Sequence, residues 1–178
     1  MNIETLPILN DTESRKKSII ENTPAIFEIT ENQRAVGKEP LYEIEIASQV
    51  YKWCGLIIQI AKKYKIDSNF VMAIMYMETT HGWYDRIHPS KRTILPMNIH
   101  YGYWKKLGVT KELLECPFYN IEFGVILLSR IRDRIEKPTV RKIASIYNLL
   151  GARKVTDYGA RVGRLYYLQP WRKRGCAV

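Results

Sequence analysis

A nearly continuous apolar segment that ends in a glutamate constrains the fold of this chain more than any other feature. Val71, Ile74, Met75 and Glu78 stand at positions i, i+3, i+4 and i+7, the spacing that places residues on one face of an α-helix. Gly82 follows and can end that helix. The pattern predicts a helix with an acidic side chain at the end of its core-facing side.

Glu78 is the candidate catalytic residue. Burial disfavours the charged form of a carboxylic acid, so we expect Glu78 to have a raised pKa and to hold its proton near neutral pH. A protonated carboxyl group is what the protonation of a leaving group requires. The alternative is that Glu78 is solvated or pairs with a basic neighbour. Trp83 and Tyr84 could line a cleft wall beside it, which favours catalysis.

Length and charge bound the organisation of the chain. Its 178 residues, 46% of them hydrophobic, suffice for one core but not for two sizeable domains. Residues 1–40 are polar and punctuated by prolines, which predicts an N-terminal arm before a domain at 41–178. The formal net charge of +10 favours a polyanionic partner: nucleic acid, an acidic membrane surface or the wall of a bacterium.

Helical spacing of apolar residues recurs along the predicted domain and indicates an all-α fold. The predicted helices run from Ile46 to Tyr64, from Asp67 or Ser68 to Glu78, from Tyr103 to Leu107, from Thr110 to near Cys116, from Pro117 to Ile135, from Thr139 to Leu150, and, last, to about Tyr167. We expect no strand, although there is room for a short hairpin between Arg86 and Ile99.

The three cysteines, Cys54, Cys116 and Cys176, show no C-x-x-C spacing. Cys54 lies on an apolar helical stripe, which predicts a buried structural thiol and not a metal ligand or a nucleophile. The sequence therefore indicates neither a disulfide framework nor a zinc site. We expect no metal and no cofactor.

Four segments follow one another in a distinctive order. They are Ala61 to Thr79; Leu95 to Ile99 with Trp104 to Gly108; Pro117 to Gly124; and Ile146 to Asn148 with Tyr158. Together they resemble the lytic transglycosylase domain of the lysozyme superfamily, of the soluble lytic transglycosylase type with a goose-lysozyme-like fold. The resemblance covers residues 57–167 and implies a lysozyme-like single helical domain. It also implies cleavage of the MurNAc-GlcNAc β-1,4 bond of peptidoglycan.

The resemblance assigns a role to individual residues. It makes Glu78 the only catalytic acid and base, places Met97 and Asn98 along the glycan cleft, and has Tyr147 hydrogen-bond near the glutamate. The residues that it assigns to substrate binding are Thr79, Met97, Asn98, Tyr147, Asn148 and Tyr158. Asn98 stands where the family has glutamine and is shorter by one methylene group, while Thr79 replaces a serine and Leu95 a glycine.

The number of catalytic carboxylates distinguishes two reactions, the formation of a 1,6-anhydro sugar and hydrolysis. Glycosidases usually employ two acidic residues, and Asp85 is the evident second candidate in the loop after Glu78. A lytic transglycosylase needs one, because the resemblance implies that the substrate's N-acetyl group assists and that Glu78 then deprotonates the 6-hydroxyl to form a 1,6-anhydro sugar. If Asp85 positions water instead, the protein is a muramidase.

Basic residues fit an anionic wall polymer. Arg86, Lys91 and Arg92 would border the cleft. A basic C-terminal section could hold peptide-stem carboxylates or phosphates: Arg153, Lys154, Arg161, Arg164, Arg172, Lys173 and Arg174. Two alternatives remain. The same section could make the chain a nucleic-acid-binding module, although no binding motif supports this and we expect no nucleic acid partner, or the chain could be an inactive lysozyme-like assembly protein.

The start of the chain lacks the basic and apolar regions of a secretory signal, and no apolar run is long enough to span a bilayer. We therefore expect synthesis in the cytoplasm without a signal peptide or a transmembrane segment. Action on the cell wall in the periplasm would then need a dedicated export route, such as a secretion system, a phage particle or lysis. An exported antibacterial effector with a cognate immunity protein would meet this description.

Overall fold

The computed structural model describes residues 27–37, 48–80, 93–105 and 108–176. It is mostly helical, which confirms the all-α prediction. The helices are α1 (Ser48–Lys63), α2 (Ser68–Thr80), α3 (Tyr101–Trp104), α4 (Lys111–Glu115), α5 (Pro117–Arg132), α6 (Val140–Asn148), α7 (Asp157–Leu168) and a 3-10 helix, Pro170–Arg174. A short antiparallel hairpin joins β1 (Thr93–Ile94) to β2 (Ile99–His100), at the end of the stretch where the sequence left room for one.

Polar side chains fix where the helices begin. The hydroxyl groups of Thr110, Thr139 and Thr156 precede α4, α6 and α7, and each accepts a hydrogen bond from the backbone N–H three residues later. Asp67 has the same function before α2, since its Oδ1 accepts from the Asn69 N–H at 2.8 Å. These caps agree with the helix starts predicted at Thr110, at Thr139, and at Asp67 or Ser68.

Helix α2 is the central element of the core. Every residue from Phe70 to Met77 is buried, so this helix is apolar on all sides and not only along one stripe. It packs against α1 and α7, while α5 packs against α1, α4 and α6. Each large aliphatic side chain buried in this way contributes about 1.5–3 kcal/mol to stability. Glu78 thus continues a helix that the core holds in place.

Helices α6 and α7 approach each other closely at Gly159. A Cβ atom at this position would lie 2.0 Å from the Ser145 Oγ and 2.3 Å from the Arg141 carbonyl oxygen. The Ser145 hydroxyl donates to that carbonyl at 2.7 Å and accepts from the Thr156 N–H at 3.0 Å. Only glycine permits this contact, which sets the spacing of the two helices.

Residues 27–37, from the predicted arm, run along the helical domain. The Thr30 N–H donates to the Arg153 carbonyl at 3.0 Å, and the Val155 N–H donates to the Thr30 carbonyl at 2.9 Å. Asn32 adds a side-chain bond from its Nδ2 to the Val155 carbonyl at 3.0 Å. This stretch therefore covers the connection between α6 and α7.

In the part of the chain that the structure describes, no helix combines the length and the hydropathy needed to cross a membrane.

The prediction of an unpaired Cys54 thiol is wrong. Cys54 of α1 forms a disulfide bond with Cys176, across 122 residues of sequence and a Cα–Cα distance of 6.0 Å. The 3-10 helix brings the second cysteine back, because the fully buried Trp171 packs into the core and its indole N–H donates to the Asn69 Oδ1 at 3.2 Å. The pairing depends on this return of the chain, which no local spacing indicates.

Removal of the disulfide should destabilise the fold. We expect the double substitution Cys54→Ser and Cys176→Ser to cost about 2–4 kcal/mol, because a crosslink that closes a long loop restricts the unfolded chain. The melting temperature should fall by roughly 5–15 °C. Calorimetry with and without a reductant checks this: the reductant should lower the melting temperature of the native protein and leave the double variant unchanged. A Cys116→Ser variant, at the exposed free cysteine, is the control. Equal melting of reduced and oxidised native protein would contradict the prediction.

Candidate active site

The Glu78 carboxylate is buried in the last turn of α2, with 7% of the residue exposed. Two side chains from distant parts of the chain donate hydrogen bonds to it. The Asn98 Nδ2 donates to one carboxylate oxygen at 2.7 Å, and the Tyr158 hydroxyl donates to the other. Burial disfavours the charged form of the carboxyl group, whereas the two donors favour it. Burial thus stabilises the protonated form of Glu78 and the two donors stabilise its ionised form. A group that transfers a proton must adopt both forms.

Backbone conformation brings the Asn98 amide to Glu78. Asn98 has a φ of +55°, in the left-handed region that asparagine tolerates better than other non-glycine residues. It lies in the turn between β1 and β2, so the hairpin presents its side chain to the end of α2. The shorter amide therefore reaches the carboxylate, and a longer side chain is not required for this contact.

Asn120 of α5 holds the hairpin in position. This residue is fully buried, and its Oδ1 accepts from the Met97 N–H at 2.8 Å. Its Nδ2 donates to the carbonyl oxygens of Ile94 at 2.8 Å and Leu114 at 2.9 Å. One side chain thus satisfies three backbone groups, two of which belong to the hairpin that carries Asn98.

A glycine lets the hairpin pack directly on α5. A Cβ atom at Gly124 would lie 2.9 Å from the Cβ, Cγ and Cε atoms of Met97. Met97 is fully buried against this helix. The third segment of the resemblance, which ends at Gly124, therefore supports the second one.

Two tyrosines from adjacent helices face the region of Glu78. Tyr158, on α7, bonds the carboxylate, and Tyr147, on α6, donates to the Met97 carbonyl oxygen at 2.7 Å. Burial raises the pKa of both phenols well above the ordinary value, and the charge of Glu78 raises it further. Both hydroxyl groups therefore remain neutral hydrogen-bond donors throughout the physiological pH range.

Glu78 opens onto a cavity of about 470 Å³, within the range of roughly 300–1,000 Å³ typical of ligand sites. The cavity lies between the hairpin, α5 and α6. Its lining consists of Glu78, Asn98, Ile99, His100, Trp104, Leu127, Arg130, Ile131, Ile146, Tyr147, Asn148 and Leu150. Besides its aliphatic residues, the lining holds an acid, two amides, a tyrosine, a tryptophan, a histidine and an arginine. This mixture suits a carbohydrate, which presents both hydroxyl groups and apolar ring faces.

The predicted site residues fall into two groups. Glu78, Asn98, Tyr147 and Asn148 line the cavity, and Tyr158 reaches it through its bond to the carboxylate. Two others are directed elsewhere. The hydroxyl of Thr79 donates to the Met75 carbonyl at 2.7 Å, within its own helix, and Met97 contributes through its backbone while its side chain packs in the core.

Asp85, the possible second acid, lies outside the described residues, as do Arg86, Lys91 and Arg92. Two residues of the basic C-terminal section pair with acidic side chains. Arg161 pairs with Asp157 at 2.8 Å, and the exposed Arg153 lies 3.5 Å from Glu28. Neither lines the cavity that contains Glu78.

Asn120 and Arg130 were not identified as functional from the sequence. Asn120 stands next to Ile121 in a predicted helix, and a single asparagine among apolar neighbours does not indicate by itself that its side chain bonds a distant backbone. Arg130 follows Leu127 and Leu128, where a basic residue near a helix end is ordinary. Their importance depends on which side of α5 meets the hairpin.

Across the described ranges, no group of three or more His, Cys, Asp or Glu side chains could hold a metal ion. No protein-family model, curated protein or solved structure matches this chain.

Proposed function

We propose that this protein cleaves the β-1,4 bond between MurNAc and GlcNAc in peptidoglycan, as a lytic transglycosylase or a muramidase. One observation carries the proposal: a buried glutamate, held by Asn98 and Tyr158, lines a cavity large enough for sugar units. The order of the four segments that resemble the transglycosylase domain adds to it.

In the first step Glu78 is the general acid. Its protonated carboxyl group donates a proton to the glycosidic oxygen, and the bond from that oxygen to the anomeric carbon of MurNAc breaks. The carbonyl oxygen of the substrate's N-acetyl group assists by bonding to the anomeric carbon. Asn98 and Tyr158 stabilise the carboxylate that this step leaves behind, through the hydrogen bonds that both donate.

In the second step Glu78 is the general base. Its carboxylate accepts the proton of the sugar's 6-hydroxyl group, and the hydroxyl oxygen attacks the anomeric carbon to close a 1,6-anhydro ring. The bond to the N-acetyl oxygen breaks, and Glu78 regains its starting proton. If water is the nucleophile instead, the same proton transfer gives a reducing end and the protein is a muramidase.

The Oδ1 atom of Asn98 also supports substrate binding beside Glu78. It is buried and makes no hydrogen bond with any residue that the structure describes. A buried acceptor without a partner is costly, by about 1–3 kcal/mol. A donor on the substrate, such as a sugar hydroxyl or the acetamido N–H, would satisfy it.

The glycosidase proposal explains the cavity better than nucleic acid binding does. The aliphatic side chains, Trp104 and the two amides around Glu78 suit the ring faces and hydroxyl groups of a sugar better than a polyphosphate backbone. An inactive assembly protein would not need a buried glutamate with two side-chain donors at the edge of a cavity. Neither alternative accounts for the arrangement around Glu78.

The disulfide bond between Cys54 and Cys176 supports action outside the cytoplasm. Disulfides persist in oxidising compartments, among them the bacterial periplasm, where peptidoglycan lies. Delivery to that compartment would suit an antibacterial effector, whose producer would then carry an immunity protein.

Digestion of purified sacculi tests the proposed activity. We expect the native protein to release muropeptides, and mass analysis of them to distinguish the two products, because anhydro and reducing ends differ by one water. A Glu78→Gln preparation is the blank for contaminating hydrolases. Sacculi that stay intact, in a preparation that retards nucleic acid on a gel, would overturn the proposal in favour of the binding module.

A further inference from the structure

Arg130 lines the same cavity as Glu78. It lies in the last turn of α5, one turn after Leu127, which also lines the cavity. Leu150, from the connection between α6 and α7, contributes to the same lining. The guanidinium group is therefore a cation among aliphatic side chains and is half-buried.

No described side chain neutralises this cation. Arg130 makes no side-chain hydrogen bond and no ion pair with any residue in the described ranges, Glu78 included. The group whose charge acts on it most is another cation, Arg134. Burial, followed by the charge of Arg134, lowers the pKa of the Arg130 guanidinium, although Tyr64 opposes the change. An arginine remains charged despite such a shift.

A partly desolvated cation without a counter-ion favours an anionic ligand. The loss of water around Arg130 weakens screening, so a carboxylate that enters the cavity gains a stronger hydrogen bond there than at an open surface. The planar guanidinium also offers paired N–H groups to the two oxygens of a carboxylate. The aliphatic neighbours would contact a short alkyl group beside that carboxylate.

We propose that Arg130 binds a carboxylate on the lactyl-peptide branch of the substrate's muramyl residue, and so selects muramyl glycans over uncharged ones. This inference rests on the proposed function and adds a residue that determines substrate specificity. The carboxylate has two possible sources in the same polymer. The lactyl group itself carries one where no peptide is attached, and the stem peptide supplies one where a peptide is attached.

The test measures binding by proteins that carry Glu78→Gln, so that no ligand is cleaved. Three glycans of equal length are titrated calorimetrically: a chitin oligomer without a carboxylate, a peptide-free MurNAc-GlcNAc oligomer, and the same oligomer with its stem peptides. The added substitutions are Arg130→Gln, which removes the charge, and Arg130→Lys, which keeps it. Lys62→Gln is the matched control, because Lys62 is an exposed cation in the last turn of α1 and lies outside the cavity.

We expect Arg130→Gln to weaken the binding of carboxylate-bearing glycans by roughly 10-fold to 100-fold, the value of one charged hydrogen bond, and to leave chitin binding within about twofold. Arg130→Lys should retain part of the affinity, and Lys62→Gln should retain all of it. Weakening for the peptide-free oligomer alone identifies the lactyl carboxylate, and weakening for the peptide-bearing oligomer alone identifies the stem. Weakening for both means that Arg130 binds either carboxylate.

Two outcomes would overturn the inference and leave the proposed function intact. In the first, Arg130→Gln binds muramyl glycans as tightly as its parent does. In the second, it loses affinity equally for chitin, which would mean that Arg130 shapes the cavity and does not read a carboxylate. If the parent protein binds no glycan and the native protein leaves sacculi intact, the proposed function itself fails, and this inference fails with it.

Discussion

Replacement of Glu78 by glutamine is expected to reduce the turnover of sacculi by at least roughly 10²–10⁴-fold, the contribution of general acid-base catalysis. The melting temperature should stay the same or rise, because an ionisable group is removed from a buried position. Activity and stability should therefore change in different directions. Sacculus turnover and calorimetric melting, measured on the same preparation, check both expectations.

The surroundings of Glu78 can accommodate this substitution. Tyr158 can continue to donate to the remaining carbonyl oxygen of the new amide. The Asn98 amide can turn over, so that its Oδ1, which has no partner among the described residues, accepts from the new NH₂ group. The substitution thus removes the group that transfers the proton, while the new amide can still form hydrogen bonds with Tyr158 and Asn98.

Glu122→Gln is the matched control for that experiment. Glu122 is the other buried glutamate of the described core, 2% exposed, and accepts from Lys63 Nζ at 3.1 Å and from the Tyr64 hydroxyl at 2.8 Å. It does not line the cavity. We expect the neutral amide to cost about 1–3 kcal/mol of stability and to leave the turnover of the folded protein unchanged. A fully active, folded Glu78→Gln protein would end the glycosidase proposal.

Asn120→Ala is expected to cost about 3–6 kcal/mol of stability, because two buried backbone groups and a third, part-buried one lose their partner at once. These groups are the Met97 N–H and the carbonyl oxygens of Ile94 and Leu114. The melting temperature should fall by roughly 10 °C or more. Activity should fall too, even where the protein is still folded, since the hairpin that presents Asn98 to Glu78 loses its anchor.

Asn32→Ala is the matched control for Asn120→Ala, because it removes an asparagine that bonds the backbone but does not anchor the hairpin. Asn32 also bonds the backbone, through its Nδ2 to the Val155 carbonyl and its Oδ1 from the Arg34 N–H, but in a part-buried position away from the cavity. We expect it to cost about 1 kcal/mol and to leave turnover intact. If Asn120→Ala melts within about 2 °C of the Asn32→Ala variant, the assigned role of Asn120 is wrong.

Much of the fold was predictable from local patterns. The apolar spacing in α1, α2 and α5 marks the buried faces, and the threonines at 110 and 139 mark helix starts, because both signals depend on neighbours within a few residues. The continuation of that spacing to Glu78 also predicted a buried acid at the end of a helix, and the structure confirms its burial.

The contacts between the site residues were harder to predict from the sequence. Asn98 and Tyr158 were assigned to the substrate by resemblance, whereas their side chains bond Glu78 directly. Tyr147 bonds the carbonyl oxygen of Met97, the residue before Asn98. Such partners are separated by 20 to 80 residues along the chain, and the direction of each side chain depends on how the helices pack.

The sequence by itself therefore determined which segments become helices, that they form one all-α core, and that Glu78 is a buried acid at the end of the central helix. Only the tertiary structure decided that Asn98 and Tyr158 hold this acid, that Asn120 anchors the hairpin, that Cys54 pairs with Cys176, and that Arg130 enters the cavity. The physical reason is the separation along the sequence of the residues that interact. Periodicity and capping act over a few residues, whereas these contacts depend on the crossing of helices and on the return of distant parts of the chain.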